Sequence, residues 1–227
     1  VKILVIGDSI GLPRLKQNSD LVELYYEDTY PERIRKFALQ RFAGEDILLL
    51  NSCRHANTSL HLLRGVANDV YFLQPDYVVL QLGMADLWPT EKRSDLPPFP
   101  ELAGKNPWIG PEEYIQNVER FLQFCFQQAL IRIIIVNVPK VSSRQYEKHP
   151  NAHDRTCRYN TLLQRFTHYQ QVAIVDAYSL FEQLGEGATG SDGIHPTRDS
   201  SRQLAWKIVD VLEALEQDCR GGLPCDL

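Results

Sequence analysis

The heptapeptide SDGIHPT, Ser191 to Thr197, sets an acid three places ahead of a histidine, with Gly193 and Ile194 between them and Pro196 closing the run. An imidazole can take a proton from an alcohol, and a carboxylate beside it fixes the tautomer and stabilises the charge that forms. That pair needs a nucleophile. Near the amino end the chain reads GDSIG, Gly7 to Gly11, and Ser9 stands directly after a short apolar run. A serine hydroxyl is a weak nucleophile until a neighbouring base removes its proton. Each piece alone also fits an ordinary turn, since Gly-Asp-Ser and Asp-Gly are common turn sequences. The conjunction favours a catalytic set, with Ser9 as nucleophile, His195 as base and Asp192 as its orienting partner, while spacing alone leaves the turn reading open.

Such a set works only if distant segments meet, so the positioning elements matter. Apolar runs rich in β-branched residues recur at 2–6, 46–50, 76–82, 131–136 and 171–175. They read as buried strands of a parallel sheet with helices on both faces. Residues 112–129 place Tyr114, Ile115, Val118, Phe121, Leu122, Cys125 and Phe126 on one helical stripe. Residues 199–217 do the same with Leu204, Ile208, Val211, Leu212 and Leu215. Further helices are expected from Pro31, at about 58–73 and at about 154–169. Alternating strands and helices predict an α/β sandwich around a five-stranded parallel sheet. GDSIG leaves the first strand, where Gly7 suits a sharp exit, and SDGIHPT is expected to follow the fifth. Both then lie at the carboxyl edge, where open α/β sheets bind ligands. The connections 10–30, 88–111 and 137–153 are too long for plain turns, and the proline-rich middle one is expected to form an ordered lid or specificity loop.

The bulk numbers narrow the classes. With 227 residues, 44% hydrophobic and 23% charged, the chain suits a soluble globular domain, read as one domain over 1–218 and a tail at 219–227. A net charge of −5 argues against nucleic acid as the main partner. VKILVI is too short for a signal-peptide core or a membrane span, so a cytoplasmic protein without a membrane span is expected. Cysteines 53, 125, 157, 219 and 225 lack metal-ligand spacing and are expected to be free thiols, although Cys219 and Cys225 can pair under oxidation. No phosphate-binding glycine motif follows any expected strand.

VIGDSIG at one end and SDGIHPT at the other resemble the first and last sequence blocks of the GDSL/SGNH hydrolases, and the order of intervening blocks agrees along nearly the whole chain. The resemblance implies a flavodoxin-like, three-layer sandwich of strand order 2-1-3-4-5. It implies a Ser-His-Asp ester-cleaving site matching Ser9, His195 and Asp192, without metal or organic cofactor. NSCRHANTS (51–59) resembles the second block, whose glycine N–H helps bind the oxyanion; Ala56 takes its place, so the oxyanion hole is expected from the N–H groups of Ser9 and Ala56. QLGMADLWP (81–89) resembles the third block, Gly-x-Asn-Asp, with Gly83 and Asp86 matched and the oxyanion-binding asparagine replaced by Ala85. Loss of one such donor typically lowers turnover by roughly a hundred- to a thousand-fold. Either Asn57, Arg54 or His55 substitutes, or the two backbone donors suffice, or hydrolysis is lost and binding kept; the intact Ser9, Asp192 and His195 disfavour the last. YEDTYP (26–31) and the third block without asparagine are also similar to hydrolase-like proteins associated with bacterial surface polysaccharides.

Trp88, Phe99 and Trp108 can stack on a sugar ring or anchor their loop to the body. Arg14 can hold an anionic substrate group, but pairing with a carboxylate such as Glu27 is favoured. His149 and His153 are read as solvated loop histidines, since no third metal ligand is evident. Asp8 and Asp86 are read as hydrogen-bonding the site loops. The expectation is a serine esterase for short acyl esters of a small-molecule or glycan substrate, with O-acetyl groups on carbohydrate as the candidate. An O-acyltransferase with the same three residues and a weakly catalytic glycan-binding module are the alternatives.

Overall fold

The apolar runs form strands because their β-branched side chains pack on both faces of a covered sheet. The computed structural model describes residues 1–17, 20–87, 109–128 and 131–221. Its strands are β1 (Lys2–Gly7), β2 (Arg14–Leu15), β3 (Val22–Leu24), β4 (Leu48–Asn51), β5 (Tyr77–Gln81), β6 (Arg132–Val136) and β7 (Val172–Val175). The helices are α1 (Tyr30–Arg41), α2 (Ser59–Val66), α3 (Pro111–Gln128), α4 (Ser143–Lys148), α5 (Pro150–Leu163), α6 (Ala177–Leu184) and α7 (Arg198–Gly221). The main sheet is parallel in the order β4-β1-β5-β6-β7, which over its own five strands is 2-1-3-4-5. The labels run higher because β2 and β3 form a separate two-stranded antiparallel arm.

α1 packs with α7 in one helical layer, and α2, α3 and α5 pack in sequence in the other. The core lies between. Ile3, Leu4 and Val5 of β1 and Ile133 and Ile134 of β6 are fully buried. The expected stripe of α3 is buried from Tyr114 to Cys125, with Phe126 half-buried at its end, and α7 buries Leu204, Ile208 and Leu212.

Several expectations change. The 58–73 helix is α2 followed by a π turn, Ala67–Tyr71, and the 154–169 helix starts at Pro150 and ends in a 3-10 turn, Gln164–His168. The 10–30 connection holds the β2–β3 arm, and 137–153 holds α4 and the start of α5. His153 is therefore helical, and its Nε2 lies 3.1 Å from the Tyr178 hydroxyl. SDGIHPT does not follow β7 directly: α6 and a 3-10 turn, Gly185–Ala188, intervene. α7 runs through to Gly221, so the helix continues into the stretch expected to be a tail. Cys53, Cys125 and Cys157 are free thiols. Among the described residues no helix is long and apolar enough to cross a membrane. Most of the expected lid, with Trp88, Phe99 and Trp108, lies outside the described residues, as does Cys225.

Candidate active site

Ser9 opens a 3-10 turn, Ser9–Gly11, directly beyond β1. Gly7 is needed there for a different reason from the one expected. A Cβ would come within 2.8 Å of Cys53 Sγ and 3.1 Å of the Gln81 carbonyl oxygen, so the strand end is a close approach of backbones. Burial pushes the Cys53 thiol up to about 12, so it packs the turn as a neutral group and offers no competing thiolate.

Asp8 caps the Ser9 turn. Its wholly buried carboxylate accepts the Ile10 N–H at 3.0 Å and the Gln81 side-chain amide at 3.5 Å, tying the turn after β1 to the end of β5. Burial raises its pKa to about 6 against the opposing pull of those hydrogen bonds and of nearby His195. Asp86 does the equivalent work one loop away. It accepts the Ser59 N–H at 3.0 and 3.2 Å and the Ser59 hydroxyl at 2.6 Å, anchoring the start of α2, and burial raises it to about 7. Both acids thus hold loops, as the sequence suggested.

His195 brings its ring to Ser9 across 186 positions of sequence: Ser9 Oγ lies 2.8 Å from Nε2. The other ring nitrogen, Nδ1, lies 2.7 Å from Asp192 Oδ2. An ionised carboxylate only accepts, so Nδ1 carries the hydrogen and Nε2 is free to accept from the serine. Asp192 Oδ1 accepts the N–H groups of Ile194 at 2.9 Å and of His195 itself at 3.0 Å. Burial alone raises the Asp192 pKa, but the hydrogen bond and charge of His195 with these two N–H groups reverse the shift and hold it well below the usual carboxylate range.

The turn is gripped from both sides. Arg14 of β2 donates to Asp192 Oδ2 and, at 2.7 Å, to Glu23 of β3. Its partners are therefore Asp192 and Glu23, not Glu27. Glu23 also accepts the Ser191 N–H at 2.7 Å. Opposite, Gln145 of α4 donates to the Asp192 carbonyl at 2.6 Å, and the Ser142 N–H donates to the Gly193 carbonyl at 2.8 Å. Glu23, Ser142 and Gln145 escaped sequence reasoning. No local pattern marks them, because their partners lie far along the chain.

The side expected to bind an oxyanion is sparser. Ala56 has φ +55, a left-handed conformation that glycine adopts more readily. Its turn is held by the Arg54 N–H and the Asn57 side-chain amide, both donating to the Gly7 carbonyl at 3.0 Å. Asn57 thus braces the end of β1 with one N–H of its side-chain amide, which leaves the second N–H of the group for other contacts. The exposed Arg54 guanidinium faces Asp69 at 3.7 Å, and His55 is exposed. Ala85 is buried, with a methyl where the third block would carry an amide.

Fold and geometry define a class: an α/β sandwich with an alcohol, an imidazole and a carboxylate hydrogen-bonded in a row at the carboxyl edge of its sheet. The profile of the GDSL-like Lipase/Acylhydrolase family matches residues 5–202. The chain belongs to that family and is an ester-hydrolysing enzyme. No curated protein matches it in sequence. A lipase/acylhydrolase from Enterococcus faecalis shares its fold with a TM-score of 0.71 at 17% identity, over 94% of this chain and 95% of that one. LAE5, an alpha/beta hydrolase from the metagenome of Lake Arreo, superposes at 0.70 with 22% identity over 94% and 95%. Axe2, an acetylxylan esterase from Geobacillus stearothermophilus, does so at 0.69 with 18% identity over 92% of each chain. At such identities these likenesses speak for the fold.

Proposed function

We propose that the protein cleaves short acyl esters, O-acetyl groups on carbohydrate in particular, by a two-step serine mechanism. His195 Nε2 removes the Ser9 proton as Oγ attacks the ester carbonyl. The oxyanion is received by the N–H groups of Ser9 and Ala56, neither of which is bonded to another described residue. His195 then returns the proton to the departing sugar hydroxyl, leaving an acyl-serine. Water, deprotonated by the same nitrogen, attacks that ester, and the acyl group leaves as a carboxylic acid with Ser9 regenerated. Asp192 remains ionised throughout and stabilises the imidazolium in both steps.

One observation carries this reading: the unbroken run from Ser9 Oγ to His195 Nε2 at 2.8 Å and from Nδ1 to Asp192 at 2.7 Å. The acetyl-carbohydrate part is supported by the similarity to polysaccharide-associated hydrolases and by the shared fold of an acetylxylan esterase. The test is a fluorophosphonate probe with peptide mapping, together with turnover of p-nitrophenyl acetate, a longer-chain ester and an acetylated xylo-oligosaccharide. Labelling confined to Ser9, lost in Ser9→Ala, and preference for the acetyl esters are expected. A folded protein that is neither labelled nor active refutes the mechanism. Turnover that appears only with an added sugar acceptor makes it a transferase instead.

A further inference from the structure

We infer that Arg14 and Glu23, on the β2–β3 arm, are positioning residues that lock the Asp192 carboxylate and balance the charge around His195. The inference rests on the proposed roles of Ser9, His195 and Asp192. The arm is a two-stranded addition outside the main sheet, and it reaches the far end of the chain. Arg14 donates to Asp192 Oδ2, the same oxygen that receives the His195 ring N–H. Oδ1 meanwhile takes two backbone N–H groups. Four donors on two oxygens fill the lone-pair sites of a carboxylate, so its plane has no freedom to rotate.

Glu23 completes the device. Its Oε2 takes the guanidinium and, at 3.3 Å, the Ser191 hydroxyl, while Oε1 takes the backbone N–H of Ser191 immediately ahead of Asp192. The seat is tight: a Cβ on Gly190 would lie 2.5 Å from Glu23 Oε1 and 2.9 Å from Arg14 Nη2. The three charged side chains are well shielded, at 12% exposure for Arg14, 12% for Asp192 and 19% for Glu23. An isolated surface ion pair contributes little. A shielded pair aimed at the carboxylate that orients the base acts on its geometry and charge instead. Both terminal nitrogens of Arg14 hold carboxylates of this chain, in keeping with the reading of Arg14 as a partner of carboxylates.

The charges make a signed expectation. The groups bearing on His195 are Asp192 from its own turn, Arg14 from β2, Glu23 from β3 and Asp8 from the end of β1. The Arg14 cation disfavours a second positive charge on the ring, so removing it eases protonation and the base is lost at higher pH. Neutralising Glu23 does the reverse.

The experiment compares wild type, Ser9→Ala, Arg14→Met, Arg14→Lys and Glu23→Gln by kcat, KM and thermal unfolding with p-nitrophenyl acetate over roughly pH 5 to 9. Arg14→Met is expected to lose roughly ten- to a hundred-fold in kcat with KM little changed, and Arg14→Lys to recover part of it. The acid limb of kcat/KM is expected to move up by about half a pH unit in Arg14→Met and down in Glu23→Gln. If Arg14→Met does not fold, the limb of Glu23→Gln decides, and an unmoved or upward limb overturns the inference. A wild-type kcat and limb in Arg14→Met, with Ser9→Ala inactive, overturns the positioning role alone. Full activity in Ser9→Ala overturns both it and the mechanism beneath it.

Discussion

Gly193→Ala places a methyl group where the structure has no room for one. Gly193 has φ +72, and a Cβ there would stand 2.2 Å from Ser142 Oγ, 3.1 Å from Ser142 Cβ and 3.2 Å from Gln145 Cγ. Two costs follow. Left-handed backbone costs an alanine about 1–2 kcal/mol. The overlap costs a further 1–3 kcal/mol or so, because the neighbours belong to the start of α4 and are themselves bonded to this turn. Alanine recovers roughly 0.4–1 kcal/mol by restricting the unfolded chain. The balance is a loss of about 3 kcal/mol, or a melting temperature lower by roughly 5–10 °C for a domain of this size. Two other glycines separate the terms. Gly185 has φ +62 and ψ −145, a region essentially reserved for glycine, with open space around it, so Gly185→Ala carries backbone strain without overlap and is expected to lower the melting temperature by about 3–5 °C. Gly187 has open space and no positive φ, so Gly187→Ala should leave stability level or slightly raised. Calorimetry and esterase turnover on the three variants form the assay. Gly193→Ala is also expected to lower kcat at least about tenfold, since Gln145 holds the Asp192 carbonyl. Should Gly193→Ala melt with Gly185→Ala and turn over as wild type, the turn is looser than its contacts imply and the reasoning fails.

Ala85→Asn returns a side-chain amide to the oxyanion side, and turnover of p-nitrophenyl acetate should rise by about tenfold or more. Unchanged turnover in a normally folded variant would mean that the N–H groups of Ser9 and Ala56 already complete the hole. Asp86 concerns stability. Its carboxyl, raised to about 7 by burial, binds a proton more tightly folded than unfolded, so its contribution is complete below about pH 4 and is lost as pH rises through 7. Asp86→Asn removes that dependence. The stability difference between variant and wild type, measured by denaturant unfolding at several pH values, should move toward the variant by roughly 3–4 kcal/mol between pH 4 and 8. A difference independent of pH would show that Asp86 is ionised throughout.

Long apolar runs and the stripes of α3 and α7 announced themselves because their signals are local and periodic. A strand of branched residues or a helix with one apolar face is legible within a window of a few turns. The β2–β3 arm, α4 and α6 were not legible. β2 and β3 are two and three residues long, α4 has six residues and none of them buried, and α6 has eight. Such elements persist through contacts elsewhere in the chain. The same division runs through the site. The i, i+3 placement of Asp192 and His195 is a local property, as is a serine leaving a strand. Asn57 looked like a free donor, and only the arrival of the Gly7 carbonyl made it a brace.

The residue types and their spacing along the chain therefore determined the covered parallel sheet, its two best helices, and which alcohol, imidazole and acid were available. Tertiary structure decided that Ser9 and His195 meet, that Arg14 pairs with Asp192 and Glu23, and that Gln145 holds the turn from behind. Those contacts join positions as many as 186 residues apart. They follow from strand order and from the path of α6 and α7 back across the sheet, which no short window of sequence contains.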